Sequence, residues 1–131
     1  MINLIFTLIG VALWTLIEYL THRFLGHQNK GKQVIKKEHQ RHHSEANYFA
    51  PIQKKLLLAV FVFSILTLII GFAFTFQMGV YFSFGFAGMY FIYELTHRRF
   101  HIKEPLIRYG LRMRKHHFFH HFGNPSLNHG V

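Results

Sequence analysis

The sequence contains no cysteine, so disulfides, thiolate metal ligands and cysteine nucleophiles are all excluded. Acidic residues are nearly as scarce: five, against fifteen Lys and Arg in 131 residues, for a formal net charge of +10. So few carboxylates cannot build a Glu-rich, carboxylate-bridged di-metal bundle. Between Leu56 and Tyr93 there is no charged residue of either sign. A soluble domain would need polar faces on such a run, and the stretch from Leu56 to Phe76 has none.

What fills the gap is apolar. A bilayer span takes about 20 apolar residues, so the uncharged run is long enough for two helices, with a break expected at Gln77-Met78-Gly79. A third apolar segment, residues 2–20, is interrupted only by Asn3, Thr7, Thr15 and Glu18. It has neither a basic leader nor a small-residue cleavage site, so it reads as retained in the protein rather than as a signal peptide. The expected fold is all-α and integral to the membrane. Three apolar transmembrane or deeply embedded helices, at about 2–20, 56–76 and 78–95, carry a cytoplasmic histidine-rich cap, all in a single domain over residues 1–131.

The basic residues fall in two blocks, Arg23 to Lys55 and Arg98 to Lys115, with none at the N-terminus or near Gln77. The positive-inside rule places both blocks in the cytoplasm. Three spans starting outside also end inside, which agrees. Lys and Arg beside a membrane meet anionic head groups, and no nucleic-acid motif accompanies the charge, so no nucleic-acid partner is expected.

Within the two basic blocks, Asn29-Lys30-Gly31-Lys32 reads as a turn and Val34 to Glu45 as a helix. Ala50-Pro51 closes the connector before a helix starting at about Lys54. Lys103-Glu104-Pro105 is expected to open a new element, since Pro suits a first helical turn. Gly123-Asn124-Pro125-Ser126 should end the last one. The chain also repeats itself. Ile17-Glu18-Tyr19-Leu20-Thr21-His22-Arg23-Phe24 is echoed by Tyr93-Glu94-Leu95-Thr96-His97-Arg98-Arg99-Phe100, and each is followed by the pattern HxxHH, as two matching half-sites would be.

There are twelve histidines, none in the apolar interiors of the spans. Ten form four sets: His22 and His27; His39, His42 and His43; His97 and His101; His117, His120 and His121. One HxxHH should arise by chance ~0.1 times in a chain of this His content, so two are not noise. On a helix, positions i, i+3 and i+4 share a face, so each HxxHH is expected to direct three imidazoles the same way. His22 and His27, five apart, would meet only if the helix ended or bent between them, which Gly26 could allow. Imidazole suits Zn, Cu, Fe and Ni. Ten donors exceed what one ion accepts, so two metals are implied, each with about five ligands and room for dioxygen or water.

Glu18 and Glu94 stand at the ends of spans, where an ionisable group is costly and suggests function. Each either accepts the outer N–H of a ligand imidazole or reaches a neighbouring Arg such as Arg23 or Arg98. His129 reads as an ordinary polar residue at a membrane edge. So does His116, although its i, i+4 relation to His120 makes it a possible substitute for His117.

At these residues the sequence resembles the fatty acid hydroxylase superfamily, which includes sterol desaturases, sterol methyl oxidases and carotene hydroxylases. The resemblance covers nearly the whole chain. Glu18 to Phe24, Phe49-Ala50-Pro51, and the His116 to His121 block with Asn128-His129-Gly130-Val131 look most like the fatty-acid 2-hydroxylase branch. It implies a membrane di-iron oxygenase that hydroxylates a lipid acyl chain with dioxygen, by fatty-acid or sphingolipid 2-hydroxylation. Two iron ions would sit on the ten motif histidines, with Glu18 and Glu94 supporting, and zinc could stand in as a surrogate without redox chemistry. Relatives continue past Gly130-Val131 with Trp-Asp and Phe-Gly-Thr, and many carry a fused haem-binding electron carrier. Here a separate donor is expected, such as a ferredoxin or cytochrome system. A bacterial inner membrane is the expected location, or the endoplasmic reticulum in a eukaryote.

Other readings stay open on the residues alone. A desaturase or a sterol or carotenoid hydroxylase would use the same motifs. A metal transporter would place ligands near the bilayer midplane, where the spans have no His. A bis-His haem protein would leave eight histidines unused, and a purely structural metal protein needs no free coordination position.

Overall fold

In a computed structural model, residues 1–28 and 34–130 are described; the expected turn at Asn29-Lys30-Gly31-Lys32 lies outside them. Every regular element among the described residues is helical. These are α1 (Ile2–Leu20), π1 (Thr21–Gln28), α2 (Val34–Ser44), α3 (Ile52–Ala73), α4 (Phe76–Ile102), α5 (Arg108–Phe118) and π2 (Phe119–Gly123). The chain divides into two compact units, residues 1–16 with 50–92, and residues 17–49 with 93–131.

The first unit holds most of the length of the apolar helices. Two helices, Ile2–Gln28 and Ile52–Ala73, are long and apolar enough to cross a membrane. The third expected span lies within α4, where Gln77, Ser83, three glycines and the charged end from Glu94 onward dilute the apolar character. Large apolar side chains on the outer faces are exposed, among them Leu8, Leu57, Phe61, Leu68 and Phe72. A chain that leaves them there is built for an apolar solvent.

With no water to expel between them, such helices associate by close approach of small residues. A Cβ at Gly10 would lie 2.1 Å from the Phe82 carbonyl oxygen, and one at Gly85 would lie 2.0 Å from that of Thr7. The two glycines thus bring α1 and α4 together from opposite sides. Gly79 does the same for α4 against α3, its Cβ position being 2.3 Å from the Thr67 carbonyl oxygen. A buried hydrogen bond from Thr67 Oγ1 to Ser83 Oγ, 2.9 Å, lies in the same contact. Trp14 packs edge-on against Phe86 and Tyr90 at 5.2 and 5.1 Å.

This use of Gly79 explains one departure from expectation. The α3–α4 break falls at Phe74-Thr75 rather than at Gln77-Met78-Gly79. Thr75 caps the new helix, its Oγ1 accepting from the Met78 N–H at 3.3 Å. Gly79 is spent on helix packing instead of the turn. Likewise Lys103-Glu104-Pro105 does not open α5, which begins at Arg108 with extended Ile107 before it. Pro105 instead packs over the first turn, where a Cβ on Gly110 would meet the Pro105 Cβ at 2.7 Å. Ala50-Pro51 does precede the next helix, at Ile52, and Gly123 does end the last one.

Gly85 and Gly88 provide an internal comparison. Gly85→Ala forces backbone apart and should cost about 1–3 kcal/mol of helix-association stability. Gly88 has nothing within 4 Å of its Cβ position, so Gly88→Ala should be neutral or gain up to about 1 kcal/mol from helix propensity. Thermal unfolding of both variants in one detergent checks this; equal midpoints would remove the close-approach account.

Candidate metal centre

The second unit gathers the ten motif histidines into two groups of five. His22, His27, His39, His43 and His120 form one, and His42, His97, His101, His117 and His121 the other. In each, one ring nitrogen per residue can be chosen so that all lie within 4.8 Å of one another.

Two expectations are corrected here. Each HxxHH does not aim three imidazoles the same way. His39 and His43 go to the first group and His42 to the second; His117 and His121 go to the second and His120 to the first. Adjacent helical residues stand about 100° apart, so i+3 and i+4 straddle a face rather than share it. Each repeat therefore supplies four donors to its own group and lends its middle histidine to the other.

Nor does the helix end at Gly26; it runs on to Gln28. Thr21–Gln28 is a π-helix, whose i→i+5 hydrogen bonding stacks residues five apart over one another. His22 and His27 lie nearly parallel at 5.4 Å as a result. Gly26 makes room for the His39 ring instead, since a Cβ there would come within 2.9 Å of His39 Cδ2. A second π-helix, Phe119–Gly123, carries His120 and His121.

The outer nitrogens of three histidines are held by oxygen. His42 Nδ1–H donates to the Tyr48 carbonyl at 2.7 Å, and His120 Nδ1–H donates to the Leu127 carbonyl at 2.7 Å. These are the two lent residues, fixed in the same way in both repeats. His22 Nδ1–H points to Glu18 Oε1 at 3.2 Å. The turn after Gly123 sets the Leu127 carbonyl, with Ser126 N–H on Asn124 Oδ1 at 2.9 Å. A Glu38–Tyr48 hydrogen bond of 2.5 Å and the Arg41 guanidinium over the Tyr48 ring anchor the other carbonyl.

Neutral histidine has one N–H, so pinning it outward leaves a bare lone pair on Nε2. His22 Nε2 and His120 Nε2 are 2.9 Å apart, and His42 Nε2 is 3.0 Å from His97 Nε2. In the first of these pairs both nitrogens are bare, and two inward lone pairs at that distance repel unless a cation lies between them. His43 Nε2, His117 Nδ1 and both ring nitrogens of His121 are also buried without hydrogen-bond partners. The donor set therefore fits two metal ions.

Burial keeps these imidazoles neutral, the state that ligates metals. Burial first, then neighbouring His43, pushes His39 down to about 2. For His43, burial and then His120 bring the value to about 3. His117 lies at about 2, from burial and then His101. The groups adjoin directly: the His43 and His121 rings stack at 4.1 Å, 9° from parallel. Phe49 covers the second group, 5.5 Å from His42 and 5.8 Å from His101, and the Arg98 guanidinium lies over its ring at 5.2 Å.

The remaining expected residues separate. Glu18 faces His22, not an arginine, and Tyr93 also hydrogen-bonds it. Glu94 is half-buried. His116 is exposed and belongs to neither group. His129, read as a residue at a membrane edge, is buried at 6% exposure, its ring 5.3 Å from His120 and 5.4 Å from His27. The carbonyls of Tyr48 and Leu127 were not legible in advance, because a backbone acceptor leaves no mark on residue type.

Apolar helices of membrane-crossing length, with two five-imidazole clusters, define a histidine-rich integral membrane protein. The sequence profile of the fatty acid hydroxylase family matches residues 7–131, and the chain belongs to that family. It is similar to fatty acid 2-hydroxylases of Macaca fascicularis, 30% identical over 95% of this chain, and Rattus norvegicus, 31% over 94%. The Homo sapiens protein of the same name is 29% identical over 95% of the chain. The chain spans about a third of each relative's length, 35%. No solved structure matches it significantly.

Proposed function

We propose that this chain is a single membrane-embedded hydroxylase domain that adds one oxygen atom from dioxygen to a lipid acyl chain, next to the carboxyl carbon. The observation that carries the reading is the pair of five-histidine groups with outward-pinned N–H bonds at His22, His42 and His120. Family membership supports lipid hydroxylation, and the relatives' name supports the position.

Two iron ions, when bound, supply activation of dioxygen and the oxidising power to break an aliphatic C–H bond. His22, His27, His39, His43 and His120 would hold one, and His42, His97, His101, His117 and His121 the other. The protein's part is to keep these donors neutral, fix their tautomers and keep water away. Glu18 and the Tyr48 and Leu127 carbonyls fix tautomers, while Phe49 shields the second group. Overall, one C–H and one O2, with two electrons and two protons, give one alcohol and one water. The electrons come from a separate carrier.

The topology belongs to the same reading. Three spans, the third within α4, leave both basic blocks and all ten histidines on the cytoplasmic side. Cysteines placed at Lys37 and Lys103 should resist a membrane-impermeant thiol reagent in intact cells, while one at Gln77 should react. Labelling of Lys37 and Lys103 from opposite sides is incompatible with this arrangement.

The chemistry is tested by supplying iron, a reductase system and labelled dioxygen, then reading lipid masses. Long-chain products should gain one oxygen that carries the label. Label arriving from water would refute the oxygenase. A dehydrogenated product without added oxygen would make the protein a desaturase.

A further inference from the structure

Beside the first histidine group, and wholly within the second unit, lies a cavity of about 410 Å³. Tyr19, Arg23, His116, Leu127, Asn128 and His129 are on its walls. The Arg23 guanidinium is half-buried there, hydrogen-bonded to the Tyr19 hydroxyl and resting on the Phe24 ring at 5.4 Å. No carboxylate among the described residues pairs with it. Of the five acidic residues, Glu18 faces His22, Glu38 faces Tyr48 and Glu45 pairs with Arg41. A half-buried cation with no carboxylate partner among the described residues, beside a cavity, is a binding site in chemical terms, since Arg presents a planar fork that matches one carboxylate bidentately.

The cavity is one ring away from the candidate metal centre. His129 forms part of its wall, and the same imidazole lies 5.3–5.6 Å from the rings of His22, His27 and His120. The Leu127 carbonyl that holds His120 belongs to another wall residue. A ligand anchored on Arg23 is thus next to the first group, not remote from it.

We propose that this cavity is the head-group pocket of the substrate site and that it binds the carboxylate of a free long-chain fatty acid on Arg23. The Tyr19 hydroxyl and the Asn128 amide lie beside it. A single guanidinium suits a single carboxylate, whereas an amide-linked acyl chain brings no charge to neutralise it. An acid held by its head keeps the adjacent carbon near the metal centre. The placement of that carbon rests on the hydroxylase reading; the binding of the carboxylate does not.

The full chain in phosphatidylcholine nanodiscs is titrated with radiolabelled palmitate in mildly alkaline buffer, with empty nanodiscs subtracted. Arg23→Gln should weaken binding about tenfold or more. Arg23→Lys should recover part of it, and the exposed Arg112→Gln should not change it. Unlabelled palmitate should compete, while hexadecanol and methyl palmitate should not. Equal affinity of Arg23→Gln and the unaltered chain, at equal metal content, overturns the proposal. Stronger competition by phosphatidic acid than by palmitate overturns it in favour of a phospholipid phosphate. Should Arg23→Gln not fold, competition on the unaltered chain decides, and methyl palmitate competing as well as the acid overturns the proposal. Palmitate binding that depends on Arg23 without any hydroxylation would leave the pocket standing and remove the hydroxylase reading. Hydroxylation of free acid undiminished in Arg23→Gln would do the reverse.

Discussion

His39→Ala combined with His120→Ala should leave one metal bound, whereas His39→Ala combined with His42→Ala should leave none. The two pairs remove equal numbers of imidazoles, so the contrast isolates how donors are shared. His39 and His120 belong to one group although 81 positions separate them, while His39 and His42 are on one turn of α2 yet belong to different groups. If each repeat were a self-contained half-site, the outcome would be reversed: the first pair would strip both metals and the second only one. Each single change should also abolish turnover, because removing one donor exposes its metal to water and disturbs the neighbouring group through the stacked His43 and His121 rings. Metal analysis of purified single and paired variants, with folding followed by helical circular dichroism, reads the result. Equal stoichiometry in the two pairs would contradict the exchange.

Glu18→Ala should lower metal affinity at the first group about 10–100-fold and leave the second group unchanged, since outer partners of ligand histidines carry effects of that size. Glu18 and His22 are both nearly buried, with side chains 11% and 6% exposed, at 3.2 Å. The carboxylate fixes which nitrogen of His22 carries the proton and raises the basicity of the other. Without it the ring can rotate or change tautomer, and the lone pair no longer faces His120. Glu18→Gln keeps the shape and one acceptor oxygen, so its loss should be smaller. The equivalent partners of His42 and His120 are backbone carbonyls, which no side-chain substitution removes. That leaves Glu18 as the accessible probe of this layer. Chelator competition against the purified protein measures both groups, and equal weakening of the two would mean that Glu18 acts on the fold rather than on His22.

The sequence by itself determined the elements that local chemistry dictates. The apolar run from Leu56 and the segment at residues 2–20 announce helices for an apolar solvent, because no polar face interrupts them. The histidine spacing points to the candidate donors, since ten imidazoles in ordered motifs, kept out of the apolar interiors, have few other uses. The family was legible for the same reason: its motifs are contiguous residues. Only the tertiary structure decided how the donors are divided. The i+3 and i+4 positions point about 100° apart, and whether they serve one ion or two depends on what stands opposite. For His42 that is His97, and for His120 it is His22, both far along the chain. The π-helix at Thr21–Gln28 was equally hidden, because the widened turn answers to the need to bring His22 and His27 together rather than to a residue preference. Gly79 and Gly26 looked like turn or bend residues, as glycines do from local sequence. Both turned out to make room, one for the Thr67 carbonyl and one for the His39 ring, and close approach is a property of the neighbour that packing brings.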